Sequence, residues 1–209
     1  RSFLQLPRFH VKLGTAPFLW DLVVAGQGTR QGPRNDPGVF QHAHLLLRGY
    51  RTTHRRAVVV LDFEWGHHYQ VDEIKARIQR NLCQSGWCDD QIAVIVIKPE
   101  LEAWLWQDHP IVQDVFYANR SKEERARLPS LRVWLRDHGL WPQEHPKPPD
   151  PKQAVRRARQ EFGASSLFAI YTSICSKISV RGCQDQAFLE LCSALRRFDA
   201  RVLQLMARN

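Results

Sequence analysis

Two stretches decide the fold class: Ala57-Val58-Val59-Val60-Leu61-Asp62-Phe63-Glu64 and Ile92-Ala93-Val94-Ile95-Val96-Ile97-Lys98-Pro99-Glu100-Leu101-Glu102-Ala103-Trp104-Leu105. Each opens as an unbroken run of aliphatic, largely β-branched residues and stops at two carboxylates spaced i, i+2. Apolar strands without alternation are buried on both faces, as in parallel sheets covered by helices. In such sheets the C-terminal strand ends share one rim, and ligands bind there. Both acidic pairs are therefore expected on that rim. In a chain of net charge +9, they point to a metal ion beside an anionic substrate.

Working outward, Phe18 to Ala25 reads as a further strand, and Gly26 to Gly38 as a loop rich in Gly, Pro, Asn and Arg. Phe40 to Tyr50 has helical spacing. Val71 to Leu82 is predicted as a helix that buries Val71, Ile74, Ile78 and Leu82, with Asp72 and Glu73 in its first turn, where the dipole favours them. The strand Ile92 to Ile97 leads into a helix with Pro99 at its first position, which suits proline. Past Asp108 no strand pattern appears. Helices are predicted over Leu131 to Leu140, Lys152 to Phe162, Ser165 to Ile174 and Asp185 to Met206. Trp141 to Pro151 holds five of the twelve prolines and is expected to be a linker without regular structure. The expected fold is α/β, a central, mostly parallel sheet of about four strands flanked by helices, with a helical C-terminal extension. The expected division is an α/β core over 1–108 and a helical extension packed on it over 109–209.

A chain of 209 residues with 44% hydrophobic content and seven Trp can bury a sizeable core. No apolar run approaches the ~18–20 residues of a membrane span and no signal-peptide pattern opens the chain, so a cytoplasmic location is expected. The pI near 9.7 suits a nucleic-acid partner, although solubility alone accounts for many basic proteins. Arg30 and Arg34 in the glycine-rich loop, with Lys147 and Lys152 further on, are candidate phosphate contacts. The five Cys form no zinc-type pair and read as reduced thiols. His67 and His68 are either a surface pair or additional ligands.

Hard divalent cations such as Mg²⁺ or Mn²⁺ take oxygen ligands, commonly one or two carboxylates plus substrate phosphates. Side chains two apart in a strand point the same way, so Asp62 and Glu64 can reach one ion together if Phe63 turns away into the core. Glu100 and Glu102 straddle a helix start, and Glu102 is the better placed to face the rim. Both also suit a helix N-terminus with no chemistry involved. Asp62, at the end of a buried apolar strand, is costly unless it is used or paired. Trp65, Trp104 and Trp106 read as core packing before base stacking. The chain has no GxSxG, Walker A or strand-linked GxGxxG motif, so nucleophile-elbow, P-loop and dinucleotide chemistry find no support.

With Asp62-Phe63-Glu64 closing one strand and Pro99-Glu100-Leu101-Glu102-Ala103-Trp104 following another, the chain resembles Toprim-like proteins. These are related to the catalytic domains of topoisomerases, primases and overcoming-lysogenization-defect nucleases. The segments Lys147 to Lys152, Ser165 to Phe168, Ile178-Ser179 and Cys183 to Phe188 resemble, more narrowly, the small Toprim-like proteins encoded beside restriction- and methylation-associated anti-phage systems. The resemblance runs from about Leu13 to Phe198. It implies a Rossmann-like Toprim fold and an Mg²⁺- or Mn²⁺-dependent nuclease or phosphoryl-transfer component of bacterial antiviral defence. Nucleic acid and other defence proteins would be its partners, with no membrane. Asp62, Glu64 and Glu102 would be the catalytic acids, and Glu100 would join them as a metal ligand. Toprim domains carry a further acid on an earlier strand. No Glu precedes Glu64, so that strand is expected upstream of Arg1, or the site is degenerate. The other expectations are a non-catalytic basic subunit that binds a partner protein or DNA, and a small-molecule phosphatase or nucleotide hydrolase.

Overall fold

All six residues of β2 (Ile92–Ile97) are buried, and in the computed structural model they pair in parallel with β1 (Ala57–Asp62). The register sets Ala57 opposite Ile92 and Asp62 opposite Ile97, so both strands end on one rim. The structure describes Val23 and residues 35–107, 109–177 and 183–206. Among these, eight α-helices accompany a two-stranded sheet, a mixed α/β protein with the expected parallel pairing. Of the roughly four strands expected, two lie among the described residues. The strand read at Phe18 to Ala25 lies, apart from Val23, outside them.

The chain divides into two compact units. The first holds the described residues up to Lys98 and those from Cys183 onward, with α1 (Asn35–Arg48), α2 (Val71–Gln84), α8 (Gln186–Met206) and both strands. Ile74, Ile78 and Leu82 recur at helical spacing on α2 and pack, with Phe40 and Ala43 of α1, against Val59, Leu61, Val94 and Val96. Full burial of each such aliphatic side chain stabilises by about 1.5–3 kcal/mol, so this layer fixes the strand pair in place. On the opposite face Ala93 and Val58 meet Ala194 and Phe198 of α8. Arg197 donates to the Ile92 carbonyl at 3.1 Å, and Lys75 of α2 bonds Glu190 of α8 at 2.6 Å.

Burial on both faces holds for β2 but not for β1. β1 alternates, with Val60 42% exposed, because α8 lies along β2 and leaves part of β1 uncovered.

The second unit comprises the described residues between Lys98 and Cys183. It holds α3 (Pro110–Phe116), α4 (Lys122–Arg127), α5 (Leu131–Asp137), α6 (Pro151–Phe162) and α7 (Leu167–Lys177). Its core includes Trp106, Phe116, Leu135, Phe162 and Ile170. Trp106 stacks on Phe116 with ring centroids 5.5 Å apart, and its indole N–H donates to the Pro151 carbonyl at 3.0 Å. The Tyr117 hydroxyl donates to the Pro129 carbonyl at 2.8 Å. Burial pushes this phenol up to about 12, so it stays a donor.

α6 starts where the Asp150 carboxylate accepts from the Gln153 N–H at 2.7 Å, with Pro151 in the first turn. It stops at Gly163, whose φ of +61° costs a glycine little.

The units part between Lys98 and Pro99, whereas the sequence reading divides the chain near residue 108, and α8 falls in the unit that holds the sheet. Hydrophobic spacing marks the buried face of a helix but does not say which partner covers it. The proline-rich 141–151 segment is irregular, as expected, yet it is a packed loop and not a linker. Trp141 is buried, donates to the His145 carbonyl at 2.9 Å and lies under the Arg132 guanidinium at 3.7 Å.

Candidate metal centre

The site begins with strand register. Asp62 is the last residue of β1, opposite Ile97, and the Phe63 N–H extends the ladder by donating to the Ile97 carbonyl at 2.8 Å. The Asp62 N–H donates to the Asp36 carboxylate at 2.9 Å, tying this strand end to the first turn of α1. Only Lys98 and Pro99 separate Ile97 from Glu100. Proline disfavours helical backbone in the residue before it, so the chain cannot coil directly off β2. Glu100 is extended (φ −153°, ψ 165°) and caps a short 3₁₀ turn, Leu101–Trp104. The regular helix expected after Pro99 is thus a single tight turn, and Pro99 precedes it instead of opening it. Glu100 precedes the turn and Glu102 lies inside it, so strand alternation no longer sets the relative direction of the two side chains.

The result is convergence. Carboxylate oxygens of Asp62, Glu100 and Glu102 all lie within 4.8 Å of one another. Glu100 and Glu102 are buried, at 6% and 8% exposure, and Asp62 is half-buried. Unit charges at that separation repel by ~3 kcal/mol per pair at an effective dielectric of about 20, so the cluster needs positive charge or hydrogen-bond donors. Two donors are supplied by the helical unit itself. Lys152, in the first turn of α6, bonds Glu100 Oε2 through Nζ at 2.7 Å. The Tyr171 hydroxyl on α7 donates to Glu102 Oε1 at 2.6 Å. One ammonium against three carboxylates leaves these named groups at a formal charge of −2. Three hard oxygen ligands with that balance fit a divalent cation of the Mg²⁺ or Mn²⁺ type.

The other candidates fall elsewhere. Glu64 is exposed and outside the group of three. The same-side rule for i, i+2 pairs fails here because β1 stops at Asp62. His67 is committed to its loop. Tyr69 N–H donates to Nδ1 at 3.0 Å, so Nδ1 must accept and Nε2–H is the donor to the Phe63 carbonyl at 2.6 Å. His68 is exposed. Lys147 is half-buried in the proline-rich loop, and Lys152 serves Glu100. Arg30 and Arg34 lie outside the described residues. Trp106 is core, as expected. All five cysteines are free. Burial pushes the Cys175 and Cys192 thiols up, and burial together with Asp89 does the same for Cys83, which disfavours thiolate chemistry.

Set against family models, curated proteins and solved structures, the chain matches none. Among the described residues no helix is long and apolar enough to cross a membrane. Sequence reasoning missed Tyr171, which stands 69 residues from Glu102 on a helix whose pattern says nothing of a hydroxyl role. Lys152, expected as a phosphate contact, stands at the start of α6 with its ammonium on the Glu100 carboxylate.

Proposed function

We propose that Asp62, Glu100 and Glu102 hold a divalent metal ion and that the chain is a Toprim-like phosphoryl-transfer enzyme, most simply a nuclease. The convergence of carboxylates from two separate sequence regions within 4.8 Å carries this reading. A divalent ion in such a site stabilises charge developing on phosphoryl oxygens and lowers the pKa of bound water. The chain's own residues do the rest. β1 ends at Asp62, Lys152 offsets the charge of Glu100, and Tyr171 fixes the rotamer of Glu102. The net charge of +9 favours a polyanionic substrate. Membership of a bacterial anti-phage system rests on the sequence resemblance alone. The test is incubation of single- and double-stranded DNA and RNA with the protein in Mg²⁺ or Mn²⁺. Cleavage that stops with chelator and with Asp62→Ala supports the proposal, and cleavage indifferent to both refutes it.

A second reading is favoured by a specific observation. Glu100 and Glu102 already have protein partners in Lys152 and Tyr171, so the cluster can serve as an internal polar lock in a non-catalytic basic subunit. That reading predicts no saturable divalent-ion binding.

A further inference from the structure

The loop that leaves Asp62 builds a second feature, a cleft of about 610 Å³ in the α/β unit, within the ~300–1,000 Å³ range of small-ligand sites. Its walls carry Phe40, Trp65, His67, His68, Tyr69 and Arg77. Gly66 takes φ +78°, a turn that lets the loop present both Trp65 and His67 to the cleft. The rings form a continuous set. Trp65 lies 4.1 Å from His67 and 5.1 Å from Phe40, Tyr69 lies 5.1 Å from Phe40, and His67 and Tyr69 are stacked at 6.0 Å between centroids.

Tyr69 is the informative member. Its ring packs against Phe40 of the hydrophobic cluster yet stays 38% exposed at the cleft. Tyr69 is held twice, by its own N–H on His67 Nδ1 at 3.0 Å and by Arg77 donating to its hydroxyl at 3.1 Å. An exposed ring locked at the mouth of a cleft has already lost the rotamer freedom that binding would otherwise cost. The Arg77 guanidinium also stands 4.8 Å over Phe40, placing positive charge beside the ring faces. Among the described residues no carboxylate lines the cleft. Flat π-faces, one fixed cation and no anion select a ligand that is planar, aromatic and negatively charged.

We propose that this cleft takes an unpaired nucleobase of single-stranded nucleic acid, stacked on the Tyr69 and Trp65 side, with its phosphate near Arg77. The proposal rests on the nucleic-acid reading of the acidic site and deepens it by naming the strand state of the substrate. A duplex hides its base faces, whereas stacking on aromatic side chains tolerates any unpaired base. Trp65 follows Asp62 by three residues, in the loop that leaves β1.

The test is fluorescence anisotropy with the full chain in chelator, using labelled oligothymidylate, oligouridylate and a DNA duplex of equal length. Binding of either single strand at least about tenfold tighter than the duplex is expected, and the two single-stranded arms separate DNA from RNA. Tyr69→Ala should weaken single-strand binding by about fivefold to a hundredfold, the worth of one stacked base. Tyr69→Phe should stay within about threefold of the wild type, and Arg77→Gln, which leaves every member of the hydrophobic cluster in place, should weaken binding. No binding by the wild type, equal affinity for duplex, or unchanged affinity in natively folded Tyr69→Ala and Arg77→Gln would each overturn the proposal. Because metal is chelated throughout, failure here leaves ion binding at Asp62 standing, and failure of ion binding leaves this result standing.

Discussion

Two acidic pairs of identical spacing meet different fates in this molecule. In Glu100/Glu102 both members are buried, each bonded to a group from the helical unit. In Asp62/Glu64 only the first member joins the cluster, and the second is exposed. The difference lies in the backbone that follows each strand. β2 is followed by Lys98-Pro99 and a 3₁₀ turn that Glu100 caps and in which Glu102 is buried, whereas β1 gives way to a loop immediately after Asp62. Spacing of i, i+2 fixes direction only while the secondary structure that defines it continues.

The contrast can be broken or sharpened by substitution. The largest effect is expected at Glu102→Gln, which keeps volume and the bond to Tyr171 but removes a charge. Mn²⁺ affinity by isothermal titration should fall by about tenfold to a hundredfold, a drop of the size seen when ligand shells are disturbed.

Tyr171→Phe should come next. A hydrogen bond to a charged acceptor contributes ~1.5–3 kcal/mol, and urea denaturation should show a loss toward the lower end of that range. Excess Mn²⁺ should restore stability through linkage if the ion binds the native state alone.

Lys152→Met should act in two directions. Its side chain is 44% exposed, so the pair with Glu100 is partly screened and its loss should cost only about 1 kcal/mol. Removing the ammonium also leaves three carboxylates facing each other, so Mn²⁺ should bind more tightly. Weaker binding in this variant would assign Lys152 a supporting role in the metal site that charge alone does not predict.

The smallest effect is expected at Glu64→Ala, within about 0.5 kcal/mol in stability, as for exposed positions generally, and with unchanged ion affinity. A large loss of affinity there would restore the symmetry between the two pairs and overturn the contrast.

Much of this architecture was legible before the structure. Ile92 to Ile97 reads as a buried strand because every residue is apolar and branched or small, and the bounds agree with β2. The stripe Ile74, Ile78, Leu82 marks α2 because helical periodicity survives any choice of partner. Asp62 stood out because a carboxylate closing an apolar strand is costly unless it is used.

What was not legible is long-range. Nothing at Lys152 or Tyr171 announces a carboxylate on the far side of tens of residues. Nothing in the apolar face of α8 says that it returns to Ala93. The fate of Glu64 depended on where β1 ends, which continuing apolar residues such as Phe63 and Trp65 obscure. The burial of both faces of β1 was overestimated for the same reason, since composition does not reveal which strand a covering helix follows.

The central claim is that acids from two sequence regions form one cation site, and Mn²⁺ titration of the wild type and Asp62→Ala tests it most directly. Saturable binding is predicted in the wild type and should be lost in a variant whose circular dichroism stays native. Absence of binding in the wild type, or equal affinity in Asp62→Ala, would contradict it and leave the carboxylates as a structural lock.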